Sequence, residues 1–271
     1  MYLQDTNFSE PKSIKIRSFL LNEIGRDLFD LSSNSWEFFD FISYLYSMKN
    51  LLNSASFNFL KELQENNNRE WFHANKEVYD RAKDNAQAFF DALNVELSKL
   101  DDFGKHKMYR IYRDTRFSQD KTPYKNHFGG IFPRRQPYNR GSFYVHLEPG
   151  NTFIGGGFWS PEKDDLLRIR QGIEMEDELE NILNDPNLIR EFGGLKGEQV
   201  KTTPKGFDKA HPRIDLLRYK QFLLTKKYTD DEVFSADFID KICSDYKIMQ
   251  PFFLYMTDVL TTDANGESIL D

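Results

Sequence analysis

The stretch SFYVHLEPGNTFIGGGFW at residues 142–159 decides the fold. In its first half, Phe143, Val145 and Leu147 alternate with more polar residues, which predicts a strand with one buried face. The segment EPGN that follows has a proline and a glycine at the two central positions of a turn, and residues 151–159 then return as a second strand. The sequence therefore predicts a β-hairpin near the middle of the chain.

Three further strands are predicted around this hairpin. Residues 107–113 and 127–132 supply two strands before it, and residues 222–228 add a late strand to the same sheet. Apolar residues at three- and four-residue steps dominate the chain before and after this block. Because helices flank the strands instead of alternating with them, the pattern predicts an α+β fold with a mostly antiparallel sheet in a single main domain.

Capping residues predict where the helices begin and end. Asn67, with a glutamate three residues later, predicts the cap of a long helix whose apolar face continues to about Leu100. Ser160 before a proline predicts the cap of a second helix. A last helix is expected from Thr229, and Pro251 is expected to kink or end it.

Composition restricts the location and the chemistry. The chain has 271 residues, a formal net charge of −7 and a single cysteine, Cys243, so it has no internal disulfide and suits a reducing compartment. Cys243 lies among apolar residues at helical spacing and is expected in the core, not as a nucleophile. No apolar run approaches the length that spans a bilayer, and no signal peptide pattern is present. We therefore expect a cytoplasmic protein without a membrane partner.

Basic residues are concentrated between residues 105 and 140. This window contains ten basic residues and two acidic ones, so its net charge is +8 and the rest of the chain carries −15. Such segregation needs a partner, which is either the acidic remainder of the chain or an anionic ligand. The basic residues are Lys105, Lys107, Arg110, Arg113, Arg116, Lys121, Lys125, Arg134, Arg135 and Arg140.

The part of this window with both acids, RDTRFSQDKTPYK at residues 113–125, is the candidate site. A guanidinium group bonds an oxyanion through two parallel donors, so converging arginines suit a phosphate or a carboxylate on a small molecule. Arg113 and Arg116 are expected to clamp such an anion. The predicted ligand-binding residues are Arg110, Arg113, Arg116, Lys121 and Lys125.

Three residues of the same segment have the chemistry for catalysis. Asp114 or Asp120 would orient an arginine or act as a base, and Tyr124 would hydrogen-bond the ligand or act as an acid. The sequence leaves open whether any reaction follows. It indicates no cofactor and no metal ligand set, since no two of the five histidines have metal-binding spacing. It also gives no indication of the oligomeric state.

Two other interpretations of the basic window remain open. Arginines and aspartates commonly pair to brace loops, and such a network needs no ligand. Tyrosines and phenylalanines also interleave with the basic residues, as in surfaces that follow phosphates and stack bases, although the overall charge of −7 disfavours nucleic acid. The alternative to a small-molecule site is therefore a non-catalytic module that binds nucleic acid or protein.

Four motifs together resemble a widespread bacterial family catalogued as domain of unknown function 2461. They are NNNREWF at 66–72, RDTRFSQDKTPYK at 113–125, GGGFWSPE at 155–162 and PKGFDKAHPRIDLLRYKQF at 204–222. The resemblance implies a single α+β domain and carries no established activity, cofactor or catalytic residue.

The resemblance also bears on the domain boundaries. Family members typically begin close to Met48 of this chain. We therefore expect residues 48–271 to form the domain, and residues 1–47 to be either a helical extension or the product of a misassigned start.

Overall fold

A five-stranded antiparallel sheet organises the part of the chain that this computed structural model describes, residues 52–263 and 265–270. The strands lie in the sheet in the same order as in the chain, so the predicted α+β class is confirmed. The prediction for residues 1–47 lies outside the described residues. The strands are β1 Lys107–Met108, β2 Phe128–Pro133, β3 Ser142–Leu147, β4 Phe153–Phe158 and β5 Phe222–Lys227.

The predicted hairpin is β3 and β4. Val145 lies opposite Ile154 across the pair, and both side chains are fully buried. The turn is closed by the N–H of Asn151, which donates to the carbonyl of Glu148 at 3.0 Å. Gly150 occupies the third position of the turn with φ of 71°, a conformation that favours glycine. The predicted strands in residues 127–132 and 222–228 are confirmed as β2 and β5.

The described residues contain nine helices, of which three precede β1, four lie between β4 and β5, and two follow β5. Two of them, α3 and α9, are long and pack on one face of the sheet. The ring centroid of Phe90 on α3 lies 6.1 Å from that of Phe132 on β2. The ring centroid of Tyr246 on α9 lies 5.5 Å from that of Phe143 on β3. The helices are α1 Ser54–Glu65, α2 Arg69–Ala74, α3 Lys76–Leu97, α4 Lys163–Met175, α5 Glu178–Leu183, α6 Pro186–Phe192, α7 Ile214–Leu217, α8 Asp230–Val233 and α9 Phe238–Thr261.

Two predictions about the first long helix were wrong. The cap is Asn68, whose side chain accepts from the N–H of Trp71 at 2.9 Å, while Asn67 bonds elsewhere. The helix is also divided at Asn75 into α2 and α3. The side chain of Asn75 donates back to the carbonyl of Trp71 at 2.9 Å, which offers the backbone an alternative to helical bonding.

Two other helix predictions, one based on Ser160 and one on Pro251, differ from the structure. Helix α4 begins at Lys163 with Glu162 as its cap, two residues later than the Ser160 cap predicts. Helix α9 continues through Pro251 to Thr261. An interior proline costs about 3 kcal/mol, but the following turns bury four apolar side chains that each contribute roughly 1.5–3 kcal/mol. These are Phe252, Phe253, Met256 and Leu260.

Candidate functional site

A short antiparallel ribbon closes the loop that carries the predicted site. The strand predicted over residues 107–113 ends at Met108, and the chain then leaves the sheet. Tyr112 pairs with Tyr124 in an isolated bridge. On either side of this bridge, the N–H of Arg113 donates across the ribbon at 2.9 Å and the N–H of Lys125 at 2.7 Å. The ribbon therefore brings Arg113 and Lys125, twelve residues apart, to the same end of the loop.

Asp120 fixes the direction of Arg113. One nitrogen of the guanidinium donates to the carboxylate of Asp120 and, at 2.7 Å, to the hydroxyl of Thr122. Hydrogen bonds from the backbone N–H of Thr122 and from Arg113 lower the pKa of Asp120 to about 2. A carboxylate with so low a pKa is a weak base, so this geometry favours the orienting role over the basic one.

Asp114 and Arg116 neutralise each other. Nε of Arg116 donates to Asp114 at 2.9 Å and a terminal nitrogen donates to the second carboxylate oxygen at 2.6 Å, which is the bidentate arrangement. Hydrogen bonding to Arg116 lowers the pKa of Asp114. The side chain of Arg116 is 76% exposed. The predicted clamp of Arg113 and Arg116 is therefore not formed in this structure, because the two guanidinium groups hold different carboxylates.

A cleft of about 430 Å³ opens beside the ribbon and is lined by Arg113, Asp114, Lys125, Asn126 and His127. Lys125 is the central cation of this cleft. Burial lowers the pKa of Lys125, and the positive charges of Arg110 and Arg113 lower it further. Its ammonium lies 5.4 Å from the ring centroid of Tyr109. Within the described residues, neither Lys125 nor Arg110 forms an ion pair, so the cleft keeps an excess of positive charge.

Tyr124 and Lys121 do not line this cleft. The ring of Tyr124 is 3% exposed and stacks on Phe72 with ring centroids 3.9 Å apart. The side chain of Asn67 bonds both backbone groups of Tyr124, at 2.9 and 3.1 Å. Lys121 donates to the carbonyl of Thr115 at 2.9 Å, within its own loop. The acid role of Tyr124 and the ligand role of Lys121 remain predictions.

A chain of hydrogen bonds adjoins the cleft on the sheet face opposite α3 and α9. The hydroxyl of Tyr144 lies 3.0 Å from Nδ1 of His146, and Nε2 of His146 lies 3.0 Å from a carboxylate oxygen of Glu148. Asn126 and Asn151 each donate to that carboxylate at 2.6 Å. The sequence pattern predicts these three side chains on the outer face of a strand, but it does not predict that they bond one another. Their spacing of two residues was the available signal, because it places them on one face.

His127 connects the cleft to this chain. Its ring centroid is 4.0 Å from that of His146. Burial, together with the neighbouring His146, lowers the pKa of His127 to about 4, and burial also lowers the pKa of His146. Both imidazoles are therefore neutral at neutral pH. Among the described residues, no cluster of three or more histidine, cysteine or carboxylate side chains has metal-binding geometry.

The C-terminal part of the basic window has a different partner. Arg134, which is fully buried, donates to Asp101 at 2.7 Å. Arg135 donates to Asp102 at 2.7 Å, and Arg140 pairs with Asp165. The three arginines of residues 134–140 therefore pair with acidic residues outside the basic window. Among the described residues, no acid outside the window forms an ion pair with Arg113, Arg116 or Lys125.

Comparison with known proteins identifies a family but no characterised relative. A family model described as conserved hypothetical protein (DUF2461) matches residues 55–255. No curated protein and no solved structure matches the chain. None of the helices that the structure describes is sufficiently long and apolar to cross a membrane.

Proposed function

The chain belongs to the DUF2461 family of conserved hypothetical proteins, and we propose that its cleft binds an anionic or phosphorylated small molecule. The observation that carries the proposal is the charge of Lys125, which forms no ion pair with any other residue that the structure describes. This ammonium is half-buried, and the positive charges of Arg110 and Arg113 disfavour it further. A bound anion would relieve this repulsion, because an opposite charge stabilises the protonated form of the lysine.

The neighbouring groups suit this ligand. Arg113 is held in position by Asp120 and Thr122, so its remaining donors lose little conformational freedom on binding. Asn126 adds a polar group to the wall, and the ring of Tyr109, which is 37% exposed, lies beside the ammonium of Lys125. A phosphoryl group attached to an apolar or aromatic body would match this combination.

Calorimetric titration with inorganic phosphate and with phenyl phosphate tests the proposal. At a concentration ten times Kd, binding should stabilise the native state by about 1.4 kcal/mol, measurable as a higher melting temperature. Lys125→Met keeps the aliphatic stem and removes the charge, and Arg113→Ala removes the oriented donor. Each should weaken binding by about tenfold. Arg135→Ala is the matched control, because Arg135 pairs with Asp102 away from the cleft.

If Lys125→Met and Arg113→Ala both bind phosphate as tightly as the wild type, the assignment is wrong. Arg116→Ala should have a smaller effect than Arg113→Ala, since Arg116 points at Asp114 and lies outside the cleft lining.

One observation favours single-stranded nucleic acid as a second candidate ligand. Phe117 is 95% exposed, and the guanidinium of Arg116 lies 5.9 Å from its ring centroid. An exposed ring beside a cation can stack a base while the cation contacts a phosphate. Under this alternative, Phe117→Ala would weaken binding of a single-stranded oligonucleotide and leave phenyl phosphate binding unchanged. Binding of phenyl phosphate without binding of the oligonucleotide would exclude it.

A further inference from the structure

Proton positions in the Tyr144–His146–Glu148 chain follow from its chemistry. His146 is 8% exposed and its imidazole is neutral, so only one ring nitrogen carries a proton. Nε2 faces the carboxylate of Glu148, which can only accept, so Nε2 is the protonated nitrogen. Nδ1 therefore presents a lone pair to Tyr144, whose hydroxyl donates to it at 3.0 Å. This is a hydroxyl bonded to a neutral base, and the base is oriented by a carboxylate.

The surrounding residues hold the chain in this geometry. The carboxylate of Glu148 accepts from Asn126, Asn151 and His146, so its position is set by three donors. Gly129 on β2 leaves space for the side chain of Tyr144, because glycine has no Cβ. A Cβ at Gly129 would lie 2.5 Å from the hydroxyl oxygen of Tyr144, so any other residue there would displace the hydroxyl.

The Tyr144–His146–Glu148 hydrogen-bond chain contacts two of the residues that line the cleft. Asn126 and His127 line the cleft, and they contact Glu148 and His146 respectively. On the other side, Tyr109 lies near the ammonium of Lys125 and has its ring centroid 6.4 Å from that of Tyr144. The chain is buried at His146, whereas Tyr144 remains partly exposed. Glu148 is partly exposed as well, but its carboxylate already accepts three hydrogen bonds. None of the three residues lines the cleft itself, so Tyr144 is the member that can meet a molecule extending out of the cleft.

We propose that Tyr144 and His146, oriented by Glu148, form the acid–base pair of a phosphoester hydrolase whose substrate places its phosphoryl group in the cleft. This inference rests on the anion site proposed above and adds a reaction to it. Tyr144 is its catalytic residue, while His146 and Glu148 act through Tyr144 as positioning residues.

The reaction balances without a further reactant. A water molecule attacks phosphorus and gives its proton to the oxygen of Tyr144, whose own proton passes to Nδ1 of His146. The new P–O bond forms as the P–O bond to the alcohol breaks. The alkoxide departs on the side of phosphorus opposite the attacking water, so the imidazolium, stabilised by Glu148, returns its proton to it through Tyr144 and a bridging water molecule. The products are phosphate and the alcohol, and the pair ends in its starting protonation state. Lys125 and Arg113 would stabilise the charge on the phosphoryl oxygens.

Two substrates that differ in their leaving groups test the proton transfer. Phenyl phosphate releases a basic phenolate that needs a proton, whereas p-nitrophenyl phosphate releases a weakly basic one. Tyr144→Phe should lower kcat for phenyl phosphate by about 100-fold or more, with little change in KM. For p-nitrophenyl phosphate, the factor by which Tyr144→Phe lowers kcat should be at least about ten times smaller, since protonation of that leaving group contributes little. Tyr138→Phe is the control, because Tyr138 is 65% exposed and lies outside the chain.

The positioning residues need a readout that a structural role would not change. His146→Gln and Glu148→Gln should show the same dependence on the leaving group as Tyr144→Phe. In nitrogen NMR spectra, His146 should carry its proton on Nε2, and Tyr144→Phe should shift the Nδ1 resonance without altering the melting temperature by more than a few degrees.

The inferred reaction and the proposed anion site fail in different ways. If the wild type binds phenyl phosphate but releases no phosphate from either substrate, the acid–base pair is overturned and the anion site stands. Equal kcat in the wild type and in Tyr144→Phe would overturn it as well. If calorimetry shows no binding of phosphate or phenyl phosphate, the anion site fails, and the reaction fails with it.

Discussion

Removal of the buried guanidinium of Arg134 should destabilise the protein far more than removal of its neighbour Arg135. The side chain of Arg134 is 0% exposed and donates to Asp101 at 2.7 Å, to the hydroxyl of Thr257 at 2.7 Å and to the carbonyl of Phe253 at 3.2 Å. Its guanidinium also lies 5.2 Å from the ring centroid of Phe253. Arg134→Ala would leave the carboxylate of Asp101, which is 9% exposed, without its cation.

Breaking a buried ion pair from one side costs about 3–5 kcal/mol. Arg135 is the matched control, because it is adjacent in the chain and forms an ion pair of the same length with Asp102. That pair is 61% and 52% exposed, so Arg135→Ala should cost about 1 kcal/mol or less. The exposure of the two pairs, not their geometry, makes the difference.

Equilibrium unfolding in urea, followed by far-ultraviolet circular dichroism, measures both values. Arg134→Met should be nearly as destabilised as Arg134→Ala, because the stranded carboxylate of Asp101 persists. The double variant Arg134→Met with Asp101→Asn should recover part of the loss. A change of less than about 1 kcal/mol in Arg134→Ala would refute the reasoning, since the guanidinium would then not be needed to hold Asp101 in the interior.

Three further outcomes are expected. Arg113→Ala should lower stability in urea by about 1 kcal/mol or less, because the side chain of its partner is 53% exposed, and complete unfolding would instead support a purely bracing role. Gly157→Ala should lower the free energy of unfolding by more than about 2 kcal/mol, since φ is 135° and a Cβ would lie 2.1 Å from a backbone oxygen. Gly150→Ala should lower it by only about 1 kcal/mol, because φ is 71° and no atom lies within 4 Å of the added carbon. The unfolded chain protonates His127 near pH 6.5, but the native state does so only near pH 4, so the free energy of unfolding should fall as pH falls through this window. In His127→Gln this fall should be smaller, by no more than about 3 kcal/mol. Equal pH dependence in the wild type and the variant would contradict the burial of this imidazole.

The local part of the fold was predictable because its signals lie within a few residues. Alternation around Val145 and the turn at Gly150 specify the hairpin without any knowledge of the rest of the chain. Helix ends were less predictable. The effect of Asn75 depends on whether its side chain or the helical backbone forms the hydrogen bond, and the effect of Pro251 depends on packing. An interior proline is tolerated only when the turns beyond it bury enough apolar surface, and the sequence around Pro251 does not show what those turns pack against.

The site was predictable only in part, for a different reason. The sequence places Arg113 and Lys125 in one basic segment, and in the structure both residues line the same cleft. The partner of Arg134 is 33 residues away in Asp101, so charge counting could not separate it from the cations of the cleft. The alternation that puts Tyr144 beside His146 was visible. Which side of the strand would meet the cleft depended on the path of residues 109–127, which no local pattern gives.

Brace and ligand site were opposing interpretations of one charged window, and the two parts of this window differ in their ion pairs. Arg134 and Arg140 hold acidic partners that are buried or partly buried, where the removal of the cation leaves a carboxylate unpaired. Lys125 and Arg113 line the same cleft, and the positive charge of Arg113 lowers the pKa of Lys125, so removal of the lysine charge would relieve repulsion. Lys125→Met should therefore leave stability unchanged or raise it slightly in the absence of ligand, while it weakens phosphate binding. A brace would show the reverse, with stability lost and binding unaffected.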